Sequence, residues 1–155
     1  MSWDRQKIKH WGFTLLELLI CLAILGLLTA MVLPSYQEYV DATNNSLAEA
    51  DLVRIEQTIE VYYNDTVTYP ATLADIGFDD VLDPWDNNYE YLRFDEDTKR
   101  GDMRKDKNLV PVNGDYDLYS MGKDEGTGMP FNSNQGKDDI VRANNGRYIG
   151  LASGY

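Results

Sequence analysis

From Phe13 to Leu33 the chain is apolar at almost every position, and Glu17 is the only charge in that run. At 1.5 Å rise per residue these positions make a helix about 30 Å long, the thickness of a hydrocarbon core. Beyond Pro34 the pattern becomes amphipathic. Leu52, Ile55, Ile59 and Tyr62 recur at helical spacing with Asp51, Arg54, Glu56 and Glu60 between them, which predicts a helix over 34–63 with one core-facing stripe. Asn64-Asp65 marks its expected end, and Pro34 is expected to kink the continuous helix, because it removes a backbone donor and crowds the preceding turn.

After Tyr69-Pro70 the periodicity changes to two. Tyr89-Glu90-Tyr91-Leu92-Arg93-Phe94 and Asp115-Tyr116-Asp117-Leu118-Tyr119 alternate as strands do, and Asp83-Pro84 and Asn87-Asn88 supply turn chemistry before the first. The mixed-charge run from Asp95 to Asn108 between the two strands predicts a long solvated hairpin loop. The fold class is therefore α+β: a long N-terminal helix, half membrane-spanning and half amphipathic, packed on a small antiparallel sheet.

Charge orients the chain. Ahead of Phe13, Arg5, Lys7 and Lys9 stand against Asp4, which favours holding that end in the cytoplasm and sending the rest outward. The whole chain carries a formal charge of −12 and this basic stretch +2, so −14 resides beyond it, and nucleic acid is not an expected partner: phosphates would be repelled. The apolar run continues into a helix instead of ending at a small-residue cleavage site, unlike a secretory signal peptide. Glu17 calls for a reason, since a charge in hydrocarbon costs about 2.5 kcal/mol or more and is read as functional with a partner to be named. The segment's own sequence offers none.

Catalytic chemistry finds little material. The only cysteine, Cys21, lies in the apolar run and the only histidine, His10, in the basic leader. The outward part can build no disulfide, no Ser-His-Asp triad and no histidine-based zinc site, so no enzyme is expected.

Gly12-Phe13-Thr14-Leu15-Leu16-Glu17, after a short basic leader and before an apolar helix, resembles the processing site of type IV pilin-like proteins. The stretches "TYP", "DPWDNNYEY", "DLYSMGKDEGTG" and "DDI", in this order, resemble the major pseudopilin of type II secretion systems. The resemblance implies removal of the leader, residues 1–12, by a prepilin peptidase cutting between Gly12 and Phe13, and N-methylation of Phe13. It implies a single-pass protein of the bacterial inner membrane, anchored by the helix 13–33 in membrane lipid before assembly, with residues 34–155 in the periplasm. It further implies a homopolymeric filament built through Phe13, Glu17 and the bend at Pro34, alongside minor pseudopilins and an inner-membrane secretion platform. In such a filament the Phe13 amine lies against Glu17 of the adjacent subunit. Two alternatives share some of these features: a major or minor pilin of an external type IV pilus, and an enzyme or binding module that merely carries an anchor.

The resemblance also implies a calcium staple in the C-terminal loop. Met121-Gly122-Lys123-Asp124-Glu125-Gly126 is a glycine-bounded loop rich in oxygens, and Asp138-Asp139 add two carboxylates, while calcium takes six to eight oxygens. Carried over from the family, the ligands are Asp124, Asp138 and Asp139 by side chain and Met121 and Gly126 by carbonyl. The stretch "GTGMPFNSNQGK" between the two halves is longer than the family pattern, and a tail VRANNGRYIGLASGY comes after the aspartates.

Overall fold

The computed structural model describes residues 12–155, so the expected leader lies outside the described residues apart from Gly12. One helix, α1, runs over Leu15–Thr66 and contains Pro34. The described chain divides after Val40 into two compact units, the second being Asp41–Tyr155. In the first, α1 keeps its large apolar side chains on the outside: Leu22, Leu25, Leu28 and Met31 are all exposed. Hydroxyl groups within the helix bond to their own backbone, as Thr29 Oγ1 does to the Leu25 carbonyl at 2.8 Å, so they leave no unmet donor.

In the second unit, α1 presents Ala48, Leu52, Ile55 and Ile59 as one fully buried stripe, with Tyr62 half-buried at its end. It covers one face of a four-stranded antiparallel sheet ordered β1 (Glu90–Arg93), β2 (Tyr116–Ser120), β3 (Ile140–Ala143) and β4 (Tyr148–Leu151). The register pairs Tyr91 with Leu118 and Ile140 with Leu151. With side chains alternating between faces, Tyr116, Leu118 and Ile140 meet the helix stripe together with Tyr89. The α+β expectation and the first two strands agree with the structure to within a residue or two at their ends.

Three features depart from what the pattern predicts. The tail after Asp139 is a β-hairpin that completes the sheet: Asn144, Asn145 and Gly146 all take left-handed conformations (φ 54°, 55° and 78°), the backbone that joins β3 to β4. Asn145 clasps the turn by accepting from Gly114 N at 2.7 Å while its own N–H donates to Asn113 Oδ1 at 3.0 Å. The sheet also has a second covered face, where Val112, Phe131, Val141, Ala143 and Ala152 form a separate core against Tyr119 and Tyr148. And the charged run 95–108 is not solvated throughout. Arg104 is buried, and the backbone of Lys105 donates to the Met129 carbonyl and accepts from Phe131 N. The charge of Arg104 is matched by buried carboxylates, which is why a charged run can enter the interior.

One buried cation links helix and sheet. Arg142, on the helix-facing side of β3, donates through Nε to Glu56 of α1 at 2.7 Å and through Nη1 and Nη2 to both oxygens of Asp115 at 2.8 Å. Its guanidinium lies 4.0 Å over the Tyr116 ring. Burial opposes its charge, but the bonds to Asp115 and Glu56 outweigh that and hold its pKa above the ordinary value. At the opposite end of β2, Asp83 ties down the Asp-Pro-Trp turn: Oδ1 accepts from Trp85 N and Asn87 N, each at 2.9 Å, and Oδ2 from Ser120 Oγ at 2.5 Å.

Removing one partner of a buried, fully bonded charge set leaves the others uncompensated, at a cost of about 3 to 5 kcal/mol. Arg142→Ala is expected to lower the stability of the detergent-solubilised chain by about that amount in denaturant titrations, whereas the exposed Arg54, paired with Asp51 one turn away, is expected to change it by under about 1 kcal/mol when replaced by Ala.

Candidate functional sites at the helix start and in the C-terminal loop

The first site is the entry to α1. Thr14 precedes the helix and Glu17 sits three residues on, the spacing of a capping box. The bonds are reciprocal: Glu17 N donates to Thr14 Oγ1 at 3.2 Å, while Glu17 Oε2 accepts from Thr14 N and from Thr14 Oγ1, both at 2.9 Å. The sequence does therefore offer Glu17 a partner, contrary to the expectation drawn from charge alone: the hydroxyl and the amide of Thr14. The amides of both residues would otherwise be orphans of the helix terminus, where the first N–H groups lack internal acceptors. Thr14 supplies hydrogen bonds but no positive charge, so among the described residues the carboxylate has no cation to neutralise it. Phe13 is 77% exposed, and a side chain at Gly12 would meet nothing within 4 Å, so no packing within the described chain demands glycine there. The helix beyond has a stretch of mean hydropathy 2.6 in which no residue is buried, long and apolar enough to cross a membrane.

The second site lies beyond β2, in the loop from Met121 to Asp139. Its two halves meet: Asp124 N donates to Asp138 Oδ2 at 3.2 Å. Gly122 allows this approach, because its φ is +70° and a Cβ there would stand 2.3 Å from the Asp138 carbonyl. Asp124 folds back on its own turn, Oδ1 accepting from Gly126 N at 2.8 Å. Asp139 is fully buried; its Oδ2 accepts from Thr127 Oγ1 at 2.6 Å and from the guanidinium of Arg104. Two carboxylate oxygens, Asp138 Oδ1 and Asp139 Oδ1, are buried without a hydrogen-bond partner among the described residues. Burial pushes the Asp139 carboxyl up from its ordinary pKa, against the opposing pull of Thr127 and Arg104.

The structure places Asp124 beside Asp138, with Asp139 next in the chain, in one loop pair. Among the described residues, though, no three His, Cys, Asp or Glu side chains converge tightly enough to form a ready-made metal cage. Oxygen-only donors, two of them orphaned in a buried place, suit a hard cation such as calcium. Arg104 and Thr127 belong to this site and are not visible in the sequence, since Arg104 sits among charges of both signs and its partner is 35 residues away. Thr14 was visible, as the first residue of a Thr-x-x-Glu capping signature.

Two family models match the chain, over adjoining stretches. Residues 12–33 fit the model of the prokaryotic N-terminal methylation motif, and residues 34–101 that of the type IV minor pilin ComP, DNA uptake sequence receptor. The type II secretion system core protein G of Escherichia coli is 30% identical over 125 residues, covering 77% of this chain and 86% of its own length. Its counterpart in Pseudomonas aeruginosa is 28% identical over 140 residues, with 77% and 87% covered. The fimbrial protein EcpC of Eikenella corrodens is 41% identical over 66 residues, covering 43% of each chain. No solved structure matches. The fimbrial likeness is confined to less than half of the chain, while the core protein G likeness covers about three quarters of it and most of the relatives' own length: the chain belongs to the type II secretion system core protein G family.

Proposed function

We propose that this chain is a structural subunit of the type II secretion pseudopilus, a filament in the periplasm that drives protein export. The observation that carries this reading is an exposed apolar helix, long enough to span a bilayer, that opens on a carboxylate whose partner among the described residues is a neutral cap. The capping box lowers the cost of Glu17 in lipid without removing its charge. A cation reaching it from an adjacent subunit then adds Coulombic attraction in a low dielectric, so the pair selects the register of assembly. The cation is the Phe13 amine, freed by a prepilin peptidase after Gly12 and kept positive by N-methylation. Pro34, which has no N–H to give the helix turn before it, supplies the bend that packing of such helices uses. Minor pseudopilins and the inner-membrane secretion platform are the other partners this role requires. Work of this kind is structural and needs no catalytic group.

The partial match to a DNA uptake receptor suggests a second reading, a pilin of an external pilus that binds DNA. The charge of −12 argues against it, because affinity for DNA comes chiefly from cations that neutralise phosphates.

Calcium completes the proposal. Asp138 and Asp139 would hold it with their orphaned oxygens, joined by Asp124 and the carbonyls of Met121 and Gly126. The ion would neutralise carboxylates that otherwise repel each other and would fasten a loop that no disulfide ties.

Three outcomes are expected. Intact-mass measurement of protein extracted from cells that have the peptidase should give a chain beginning at Phe13; residues 1–12 still attached would refute the processing. Glu17→Gln, which keeps the shape and the hydrogen-bonding pattern of the capping box but removes its charge, should leave membrane insertion intact and reduce sheared-filament yield at least several-fold at equal expression. Wild-type yield would refute the pairing. Calcium at a hundredfold excess over its Kd should stabilise the metal-free protein by about 2.7 kcal/mol, read as a higher melting temperature than in chelator. Asp138→Asn should remove most of that gain, and magnesium should substitute poorly.

A further inference from the structure

Arg104 reaches the C-terminal loop from outside it, and its position there is closely fixed. Its backbone N–H donates to the buried Asp117 Oδ2 at 2.6 Å and its carbonyl accepts from Val112 N at 3.2 Å. The guanidinium lies 4.2 Å over the Tyr119 ring and 5.4 Å from that of Phe131, both part of the second core. One end of the fork bonds Thr127 Oγ1 and the other Asp139 Oδ2, and the residue is only 3% exposed. Asp139 is thereby divided: Oδ2 is engaged by a cation and a hydroxyl, while Oδ1, equally buried, has no partner and adjoins a residue, Asp138, whose own Oδ1 is also unpartnered.

We propose that Arg104 is a resident counter-cation that tunes the calcium site, neutralising Asp139 from the Oδ2 side so that the loop keeps its fold without the ion and binds the ion more weakly than its carboxylates alone would. The inference rests on the calcium reading above. Two effects of one side chain come from elementary electrostatics. A fixed positive charge on a ligand carboxylate reduces the field that attracts a second cation, and calcium affinity depends on the charge count of the ligands. In the absence of calcium the same charge offsets the repulsion between Asp138 and Asp139, so ordering of the loop does not await the metal. Stacking on Tyr119 and Phe131 holds the guanidinium against sideways displacement when the ion enters.

The test is calorimetric titration with calcium alone, together with thermal melts in calcium and in chelator, on the metal-free, detergent-solubilised full chain in three forms: wild type, Arg104→Gln and Arg104→Lys. Arg104→Gln is expected to bind calcium at least about tenfold more tightly than wild type and to melt lower in chelator, so that the gap between its two melting temperatures widens. Arg104→Lys keeps the charge and is expected to stay within a few-fold of the wild-type affinity. If Arg104→Gln folds only when calcium is added, that is the widened gap at its limit and supports the proposal. Affinity in Arg104→Gln equal to or weaker than wild type overturns it, as does a variant unfolded in both conditions, since calcium would then have failed to replace the missing charge. Wild type that binds calcium with an unaltered Arg104→Gln leaves the site standing and removes only this role of Arg104; no calcium binding in any of the three removes the site itself.

Discussion

The pairing of Arg142 with Glu56 and Asp115 is the constraint on which the second unit turns. A guanidinium fork fits a carboxylate along one edge and leaves Nε for another, so a single side chain fixes three elements at once: α1 through Glu56, the start of β2 through Asp115, and β3 through its own backbone. A lysine would supply charge without that geometry. The aromatic cluster around it is set by the same placement. Tyr116 lies beneath the guanidinium and packs edge-on against Tyr69 at 5.1 Å and at a tilt against Tyr91 at 5.5 Å. Tyr91 in turn donates to the Pro70 carbonyl at 2.9 Å, tying down the segment that leaves the helix. Burial raises the pKa of Tyr91 and Tyr116 well above the ordinary phenol value, so these rings enter the network as neutral donors.

Once β3 is set by Arg142, its opposite side is committed as well. Val141 and Ala143 face away from the helix and require a cover, which the loops before β2 and before β3 provide through Val112 and Phe131. Those loops carry Arg104 and Thr127 to Asp139. The candidate calcium site therefore depends on the sheet: its aspartates precede β3 directly, and their surroundings are loop backbone held by the second core. Arg104 and Arg142 do related work on the two faces, each a buried guanidinium over a tyrosine with carboxylates at its rim.

What could be read from the chain depended on whether the signal was local. The helix stripe at Leu52, Ile55 and Ile59 and the alternation in β1 and β2 repeat within a few residues, and the structure has them. The apolar run after Gly12 and the Gly-Phe-Thr-Leu-Leu-Glu motif were legible for the same reason. The tail hairpin has its own local signal in Asn-Asn-Gly, but β3 and β4 are each four residues long and Arg142 interrupts the first, so alternation says little. The two buried arginines could not have been recognised at all, because a charged residue enters the interior only when its partners come with it, and these lie 27 and 86 residues away for Arg142 and 35 for Arg104. The carboxylates of the loop were legible as a group; the division of Asp139 between two environments was not.

The sheet also limits how copies of this chain can adhere to one another. Its outer strands, β1 and β4, are four residues each, and β1 reads Glu-Tyr-Leu-Arg, with a charge at either end of its exposed ladder. Open strand edges are templates for amyloid-like growth, and short, charged edges are a common defence. The assembly proposed above would bring copies side by side, where that wrong polymer is a particular risk. Here each edge offers a newcomer only four residues of backbone, which disfavours growth of a cross-β aggregate when the globular units crowd together.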